Sequence, residues 1–249
     1  MAAPGGGPES SLADEPPILV LPSAGALAEA AAGRVSECAA AAIAARGAFR
    51  LGLPGGTSPL SLYRALAGGT WRGRVDWMRT MIRFADERAV SPDHADSNYR
   101  LVRETLLVPV GMPEANVRRM RAEDPDLERA AREYETNLDP PLDLLLLGIG
   151  ADGHIASLFP GHSALGESGR RVVAVLDSPK PPARRLTLAP RAIHESRRVI
   201  VLASGAEKAA AVARALDPAA PDRDVPAHLV RRREWLLDLA AAALVSGTP

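Results

Sequence analysis

A carboxylate and an imidazole two residues apart, Asp152 and His154, stand in a segment broken by glycines, Gly148-Ile149-Gly150-Ala151-Asp152-Gly153-His154. An imidazole ordinarily titrates near about pH 6.5, so at neutral pH it is mostly free to take a proton. The pair is therefore a candidate for acid–base chemistry. A second group, Gly55-Gly56-Thr57-Ser58, joins a glycine pair to two hydroxyls just ahead of Pro59. Backbone amides at such a turn, followed by a helix, hold anions. A third group is Asp86-Glu87-Arg88. Two more cationic positions stand in loops: Arg184-Arg185, after the proline-stiffened Ser178-Pro179-Lys180-Pro181-Pro182, and Lys208, after Ser204-Gly205-Ala206-Glu207.

Each group follows an apolar run. Leu144 to Leu147 is an uninterrupted leucine run, too short to span a bilayer, and is predicted as a strand buried on both faces. Phe49–Leu53 precedes the glycine pair, Thr80–Phe84 precedes Asp86, and Val199–Ala203 precedes the segment ending in Lys208. Ile18–Leu21, Val172–Val175, Leu186–Leu188 and Glu234–Leu239 are further strand candidates. Between them lie helical stretches. An alanine-rich helix is predicted from Ser23, its cap, to about Arg46. Ser58 is expected to cap a helix with Pro59 at its first position. Others are expected from about Tyr99 to Leu107, Asp126 to Leu138, Pro190 to Glu195, from Lys208 to Leu216, and at the alanine-rich tail. Lys208 falls in a first helical turn, where a cation opposes the helix dipole and an anionic ligand would explain it. Strands alternating with helices predict an α/β chain: a single domain of three αβα layers around a mostly parallel, Rossmann-like sheet. In such a sheet ligands bind beyond the carboxyl ends of the strands, where the polar groups fall.

The 249 residues suit this size, with residues 17–246 as the domain and residues 1–16, rich in Gly, Pro, Ala and Ser, as a disordered leader. Thirty basic and thirty acidic side chains balance, so no global field draws nucleic acid or an anionic membrane. No apolar run is long enough to span a membrane, and the leader has neither the basic nor the apolar region of a secretory signal. A cytoplasmic protein is the expectation. The one cysteine, Cys38, excludes an intrachain disulfide; it shares a helical face with Val35, Ala39, Ala42 and Ile43 and is expected as a small buried hydrophobe.

Three patterns point elsewhere and are set aside. Gly148 to Gly153 matches the dinucleotide fingerprint G-x-G-x-x-G, but Asp152 would set a carboxylate beside the pyrophosphate, and the fingerprint belongs to the first βα turn of its fold. Asp152, His154 and His162 lack zinc-ligand spacing. No G-x-S-x-G nucleophile elbow occurs.

Taken together, Pro54-Gly55-Gly56-Thr57-Ser58-Pro59, Asp86-Glu87-Arg88, Ser97-Asn98-Tyr99, Asp152-Gly153-His154-Ile155-Ala156-Ser157-Leu158-Phe159-Pro160-Gly161 and Ser178-Pro179-Lys180-Pro181-Pro182 resemble the 6-phosphogluconolactonase branch of the glucosamine-6-phosphate isomerase/6-phosphogluconolactonase family. In the deaminase branch the residues after Asp-Gly-His-Ile-Ala typically run Phe-Asn-Glu-Pro, where this chain has Ser157-Leu158-Phe159-Pro160. Thr57 stands where the family usually has serine, and Glu207 interrupts its usual Gly-x-Gly-Lys.

The resemblance implies hydrolysis of 6-phosphoglucono-δ-lactone to 6-phosphogluconate, in the oxidative pentose phosphate pathway, with no cofactor and no metal. It implies His154 as general base. Asp152 orients that imidazole or binds a sugar hydroxyl. Arg88 stabilises the carbonyl oxygen or orients the ring, and Asp86 holds Arg88 or a hydroxyl. Gly55, Gly56, Thr57 and Ser58 cradle the phosphate, helped by Arg185 and Lys208; whether Arg184 or Arg185 faces the ligand stays open. The expected partner is the small-molecule lactone, with no nucleic acid and no membrane, for a monomer or homodimer. The alternatives are an amino-sugar-phosphate isomerase or deaminase, and a non-catalytic sugar-phosphate sensor.

Overall fold

The computed structural model describes residues 17–220 and 224–245. The expected leader, residues 1–16, and the last residue of the expected domain, 246, lie outside them. Among the described residues the strands are β1 (Ile18–Leu21), β2 (Phe49–Leu53), β3 (Thr80–Phe84), β4 (Asp86–Arg88), β5 (Leu144–Gly148), β6 (Val172–Val175), β7 (Arg185–Leu188), β8 (Val199–Ala203) and β9 (Glu234–Asp238). The helices are α1 (Ala24–Arg46), α2 (Ser58–Ala67), α3 (Asn98–Val102), α4 (Val108–Val110), α5 (Leu127–Glu135), α6 (Pro190–Glu195), α7 (Ala209–Leu216) and α8 (Leu239–Ala242).

Six strands form one sheet in the order β1-β9-β8-β5-β2-β3, and every neighbouring pair is parallel. Two runs without a polar residue, Leu144–Leu147 and Val199–Ala203, pair with each other inside the sheet and are buried throughout. Helices flank this sheet, which completes the expected three-layer α/β architecture. Asp143 anchors the start of β5 to β2. Its buried carboxylate accepts the Arg50 N–H at 2.8 Å and pairs with the Arg46 guanidinium at 2.8 Å.

A second sheet is antiparallel, in the order β4-β7-β6. No helix lies between β6 and β7. Antiparallel neighbours need only a loop, whereas a parallel pair needs a long crossover. Val172–Val175 therefore folds back as a hairpin with Arg185–Leu188 instead of joining the large sheet. The strand β4 was not expected: Asp86-Glu87-Arg88 has no apolar alternation, and it pairs only because β7 lies beside it.

Several local expectations hold and several shift. Ser23 caps α1, accepting the Ala26 N–H at 3.2 Å, and Gly47 ends the helix in the left-handed region. Cys38 is half-buried, not fully buried, and Arg198 lies against its sulfur at 3.4 Å. The helix expected through Leu107 is α3, then a π-turn over Arg103–Leu107, then α4. Ser58 does not cap α2: it is the first helical residue, and Thr57 occupies the cap with no side-chain cap hydrogen bond. Lys208 likewise caps α7 from the end of a 3-10 turn, Ala206–Lys208. The last strand stops at Asp238, whose carboxylate accepts the Ala241 N–H at 2.8 Å and so starts α8. No described helix is long and apolar enough to cross a membrane.

The end of β3 is held by a tyrosine. The buried Tyr134 hydroxyl accepts the Phe84 N–H at 2.7 Å and lies 3.3 Å from the Arg118 carbonyl, to which it can donate. Removing it strands a buried N–H two residues before Asp86. Tyr134→Phe is expected to destabilise the protein by about 1–3 kcal/mol, the cost of an unsatisfied buried donor, measured by urea unfolding.

Candidate active site

In an all-parallel sheet every strand ends at the same edge. The order β8-β5-β2-β3 therefore sets four loops side by side: 204–208, 149–154, 54–58 and the turn into Asp86. They enclose a cleft of about 320 Å³. Gly55, Gly56, Thr57 and Ser58 line it, as do Asp86, Arg88, His154, Lys180, Arg185 and Lys208. All the candidate residues except Asp152 face this one cavity, and Asp152 stands directly behind His154.

Asp152 and His154 form a direct pair. The imidazole Nδ1 lies 2.5 Å from Asp152 Oδ1. An ionised carboxylate can only accept, so Nδ1 carries a proton, and in the neutral form of the ring Nε2 keeps a lone pair. Asp152 is ionised for a structural reason. Burial alone would raise its pKa, but the His154 hydrogen bond and charge, together with Lys180, outweigh that and hold it well below the usual carboxylate range. The Lys180 ammonium contacts Asp152 Oδ2 at 2.9 Å and lies 3.3 Å from His154 Nδ1. One face of the imidazole packs on Phe159, ring centroids 4.8 Å apart, and the Arg185 guanidinium lies 5.4 Å from the same Phe159 ring.

Gly150 makes this pair possible. A Cβ there would sit 2.0 Å from His154 Nδ1 and 2.6 Å from Asp152 Oδ1. One glycine of the run that imitates a dinucleotide fingerprint, Gly150, is thus needed for the close approach of the dyad. No helix begins directly after it, so the segment lacks the helix N-terminus that a pyrophosphate would use.

Asp86 is buried, with both carboxylate oxygens engaged. Oδ2 accepts the Ser157 hydroxyl at 2.7 Å, and Oδ1 accepts Asn98 Nδ2 at 3.0 Å. Glu87 is buried too and accepts the N–H groups of Arg88, Asn98 and Tyr99 at 2.8 Å each, and the Ser97 hydroxyl at 3.1 Å. Burial raises its pKa, and those backbone hydrogen bonds offset part of the rise. Arg88 donates from one terminal nitrogen to the Asp96 carbonyl at 2.8 Å, and its Nε is buried without a partner among the described residues.

Arg88 and Arg185 are directly opposed in register across β4 and β7. Like charges in that arrangement repel, so an anionic occupant of the cleft would relieve them. Arg185 is almost fully buried. Its Nε donates to the Pro182 carbonyl at 3.0 Å, and one terminal nitrogen donates to the carbonyls of Lys180 at 3.1 Å and Pro181 at 3.0 Å. It clamps the loop that carries Lys180 and reaches the Ser157 hydroxyl at 3.4 Å. Burial lowers its pKa. Arg184 donates to the Pro125 carbonyl at 3.1 Å and does not line the cleft, whereas Arg185 does. His162 pairs with Asp177 at 2.9 Å and does not converge with the dyad, and no described group of three or more His, Cys, Asp or Glu could hold a metal.

Lys180, Ser157, Phe159 and Asn98 were missed as site residues. Lys180 is a cation in a loop already noted for its prolines, so a signal existed. The other three reach the site through contacts with residues between 5 and 71 positions away in the chain, which spacing cannot show.

The family described as glucosamine-6-phosphate isomerases/6-phosphogluconolactonase matches residues 22–237. The chain belongs to this family. Among relatives in the family, the 6-phosphogluconolactonase of Mycobacterium tuberculosis is 41% identical over 241 residues, covering 91% of this chain and 97% of that protein. The solved 6-phosphogluconolactonase of Trypanosoma brucei superposes with a TM-score of 0.81 at 30% identity, covering 92% of this chain and 98% of that one. A monomeric glucosamine-6-phosphate deaminase superposes with a TM-score of 0.79 at 25% identity over 92% of this chain and 99% of that one. The fold is thus common to both branches, and the choice between them rests on side chains.

Two outcomes test the dyad. Gly150→Ala should push His154 from Asp152 and abolish the far-downfield proton resonance expected of a hydrogen-bonded Nδ1–H. Asp152 titrates lower in the folded chain than its unfolded value of about 3.9. Its pairing therefore stabilises the fold above that pH and is lost only as pH falls through the folded value. In thermal unfolding, Asp152→Asn should be less stable than wild type at pH 7, and the difference should shrink in strong acid.

Proposed function

We propose that this chain hydrolyses 6-phosphoglucono-δ-lactone to 6-phosphogluconate, with His154 as general base. The observation that carries the reading is the Asp152–His154 pair, with Nδ1 engaged and Nε2 without a hydrogen bond among the described residues, in one cleft with the N-terminus of α2 and Lys208.

The chemistry follows from that arrangement. The phosphate is held by Gly55, Gly56, Thr57 and Ser58, where the cap of α2 has no side chain of its own on the helix amides, and by the Lys208 ammonium. Held there, the phosphate positions the lactone carbonyl near His154. Nε2 takes a proton from water as the water oxygen bonds to the carbonyl carbon. The developing oxyanion draws on the positive charge of Arg88 and Lys180. The intermediate collapses by breaking the bond from that carbon to the ring oxygen, which receives the proton back from the imidazolium. The product is the open-chain acid, which ionises to the carboxylate and releases one proton to solvent. Asp152 keeps the imidazole in the productive tautomer. Asp86 holds Ser157 and Asn98 in place with one bond on each oxygen, and its remaining acceptor sites face the cleft, where a sugar hydroxyl can donate to them. Arg185 acts mainly on the Lys180 loop.

The pattern after the dyad supports hydrolysis over amino-sugar chemistry. At the place where deaminase relatives carry glutamate, this chain has Phe159, and its ring is packed on His154. The names and sequences of the lactonase relatives support the same choice; an enzyme with this activity would act in the oxidative pentose phosphate pathway.

The test is proton release from freshly generated 6-phosphoglucono-δ-lactone, with spontaneous opening subtracted. Wild type should far exceed background. His154→Ala should lose about 10²–10⁴-fold, the usual contribution of a general base, while still binding 6-phosphogluconate. Wild type no faster than background sinks the reading; ammonia release from glucosamine 6-phosphate would then favour the deaminase, and binding without turnover the sensor.

A further inference from the structure

Two adjoining walls of the cleft are supplied by separate segments of the chain. The phosphate turn Gly55–Ser58 follows β2, whereas Asp86 and Arg88 lie on β4 in the other sheet. One buried side chain touches both. Asn98, 2% exposed, donates from Nδ2 to the Asp86 carbonyl at 2.9 Å and to Asp86 Oδ1 at 3.0 Å. Its other end lies against Gly55 so closely that a Cβ there would be 1.8 Å from Asn98 Oδ1. Its backbone N–H donates to Glu87 Oε1 at 2.8 Å, and Glu87 also accepts from Ser97, Tyr99 and Arg88. The side chain cannot swing without breaking buried hydrogen bonds, and it does not itself line the cleft.

We propose that Asn98 is a positioning residue: a strut that sets the spacing between the phosphate turn and the Asp86–Arg88 wall of the cleft. The inference rests on the lactonase reading and adds to it the means by which a grip on the phosphate becomes alignment of the distant carbonyl. The residue type fits the role. Aspartate has the same shape but would set a second carboxylate against Asp86 and lose both donors. Alanine would leave Asp86 Oδ1 without its donor and the space over Gly55 empty. Gly55 is the other half of the fit, so its lack of a side chain serves the strut as well as the turn.

The experiment measures kcat and KM on 6-phosphoglucono-δ-lactone for wild type, Asn98→Ala, Thr57→Ala and the double variant, with thermal melts confirming folded protein. Asn98→Ala should lower kcat by about 10- to 100-fold, the order expected when reacting groups shift by about an ångström, with KM little changed. Asn98→Asp should fail similarly. Once Thr57→Ala has weakened the grip, alignment by the strut matters less, so the double variant should lose less than the product of the single losses. Independent, multiplying losses overturn the strut, as does an Asn98→Ala kcat close to wild type. Should Asn98→Ala not fold, Gly55→Ala reaches the same contact from the other side: lowered kcat supports the strut and unchanged kcat overturns it. Wild type that never exceeds spontaneous opening sinks the lactonase reading and the strut together, whereas active wild type with multiplying losses sinks the strut alone.

Discussion

A carboxylate can be buried in a protein only if its oxygens are satisfied, and Asp86 is where this chain meets that condition. Its partners come from separate parts of the chain: Ser157 from the loop after β5 and Asn98 from the start of α3. Meeting the demands of one buried group therefore draws the dyad loop and the helix entry onto β4. The small antiparallel sheet then continues the effect, because β4 pairs with β7 and β7 carries Arg185, the clamp of the Lys180 loop. A cleft built from so many segments keeps its shape because its polar groups hold one another.

The same economy of partners separates the roles of residues that look alike in sequence. Asp86 and Asp152 are both carboxylates beside the cleft. Asp86 is buried at the cleft wall, with one protein donor on each oxygen, a hydroxyl and an amide. Asp152 faces an imidazole and an ammonium, and those neighbours keep it ionised against the effect of burial. Arg88 and Arg185 divide similarly. Arg185 is tied into loop carbonyls on several sides, whereas among the described residues the Arg88 guanidinium donates only to the Asp96 carbonyl. Chemistry is left to the groups whose hydrogen-bonding capacity the protein does not use up.

Much of the architecture was legible because burial writes itself into composition. Leu144–Leu147 and Val199–Ala203 carry no polar residue and lie inside the parallel sheet. The cap at Ser23 was read from local chemistry and is seen. The strand β4 was illegible for the opposite reason: Asp86-Glu87-Arg88 has no apolar pattern and is a strand only because β7 pairs with it. Ser58 shows how local rules are overridden. It has the identity of a cap and the following proline, yet it lies inside the helix, buried, with Ser204 at 3.4 Å.

By itself the sequence determined that strands alternate with helices, that polar residues follow the strands, and that an aspartate, a histidine and a glycine pair are among them. Those are local properties, dictated by side-chain type and period. Only the tertiary structure decided that β8, β5, β2 and β3 are neighbours, which brings Lys208, His154, Gly55 and Asp86 to one cavity. It alone sent Arg184 outward and Arg185 inward, set Lys180 on Asp152, and placed Asn98 between Asp86 and Gly55. Strand order, register and burial arise from contacts between residues far apart in the chain, and no spacing along the sequence encodes them.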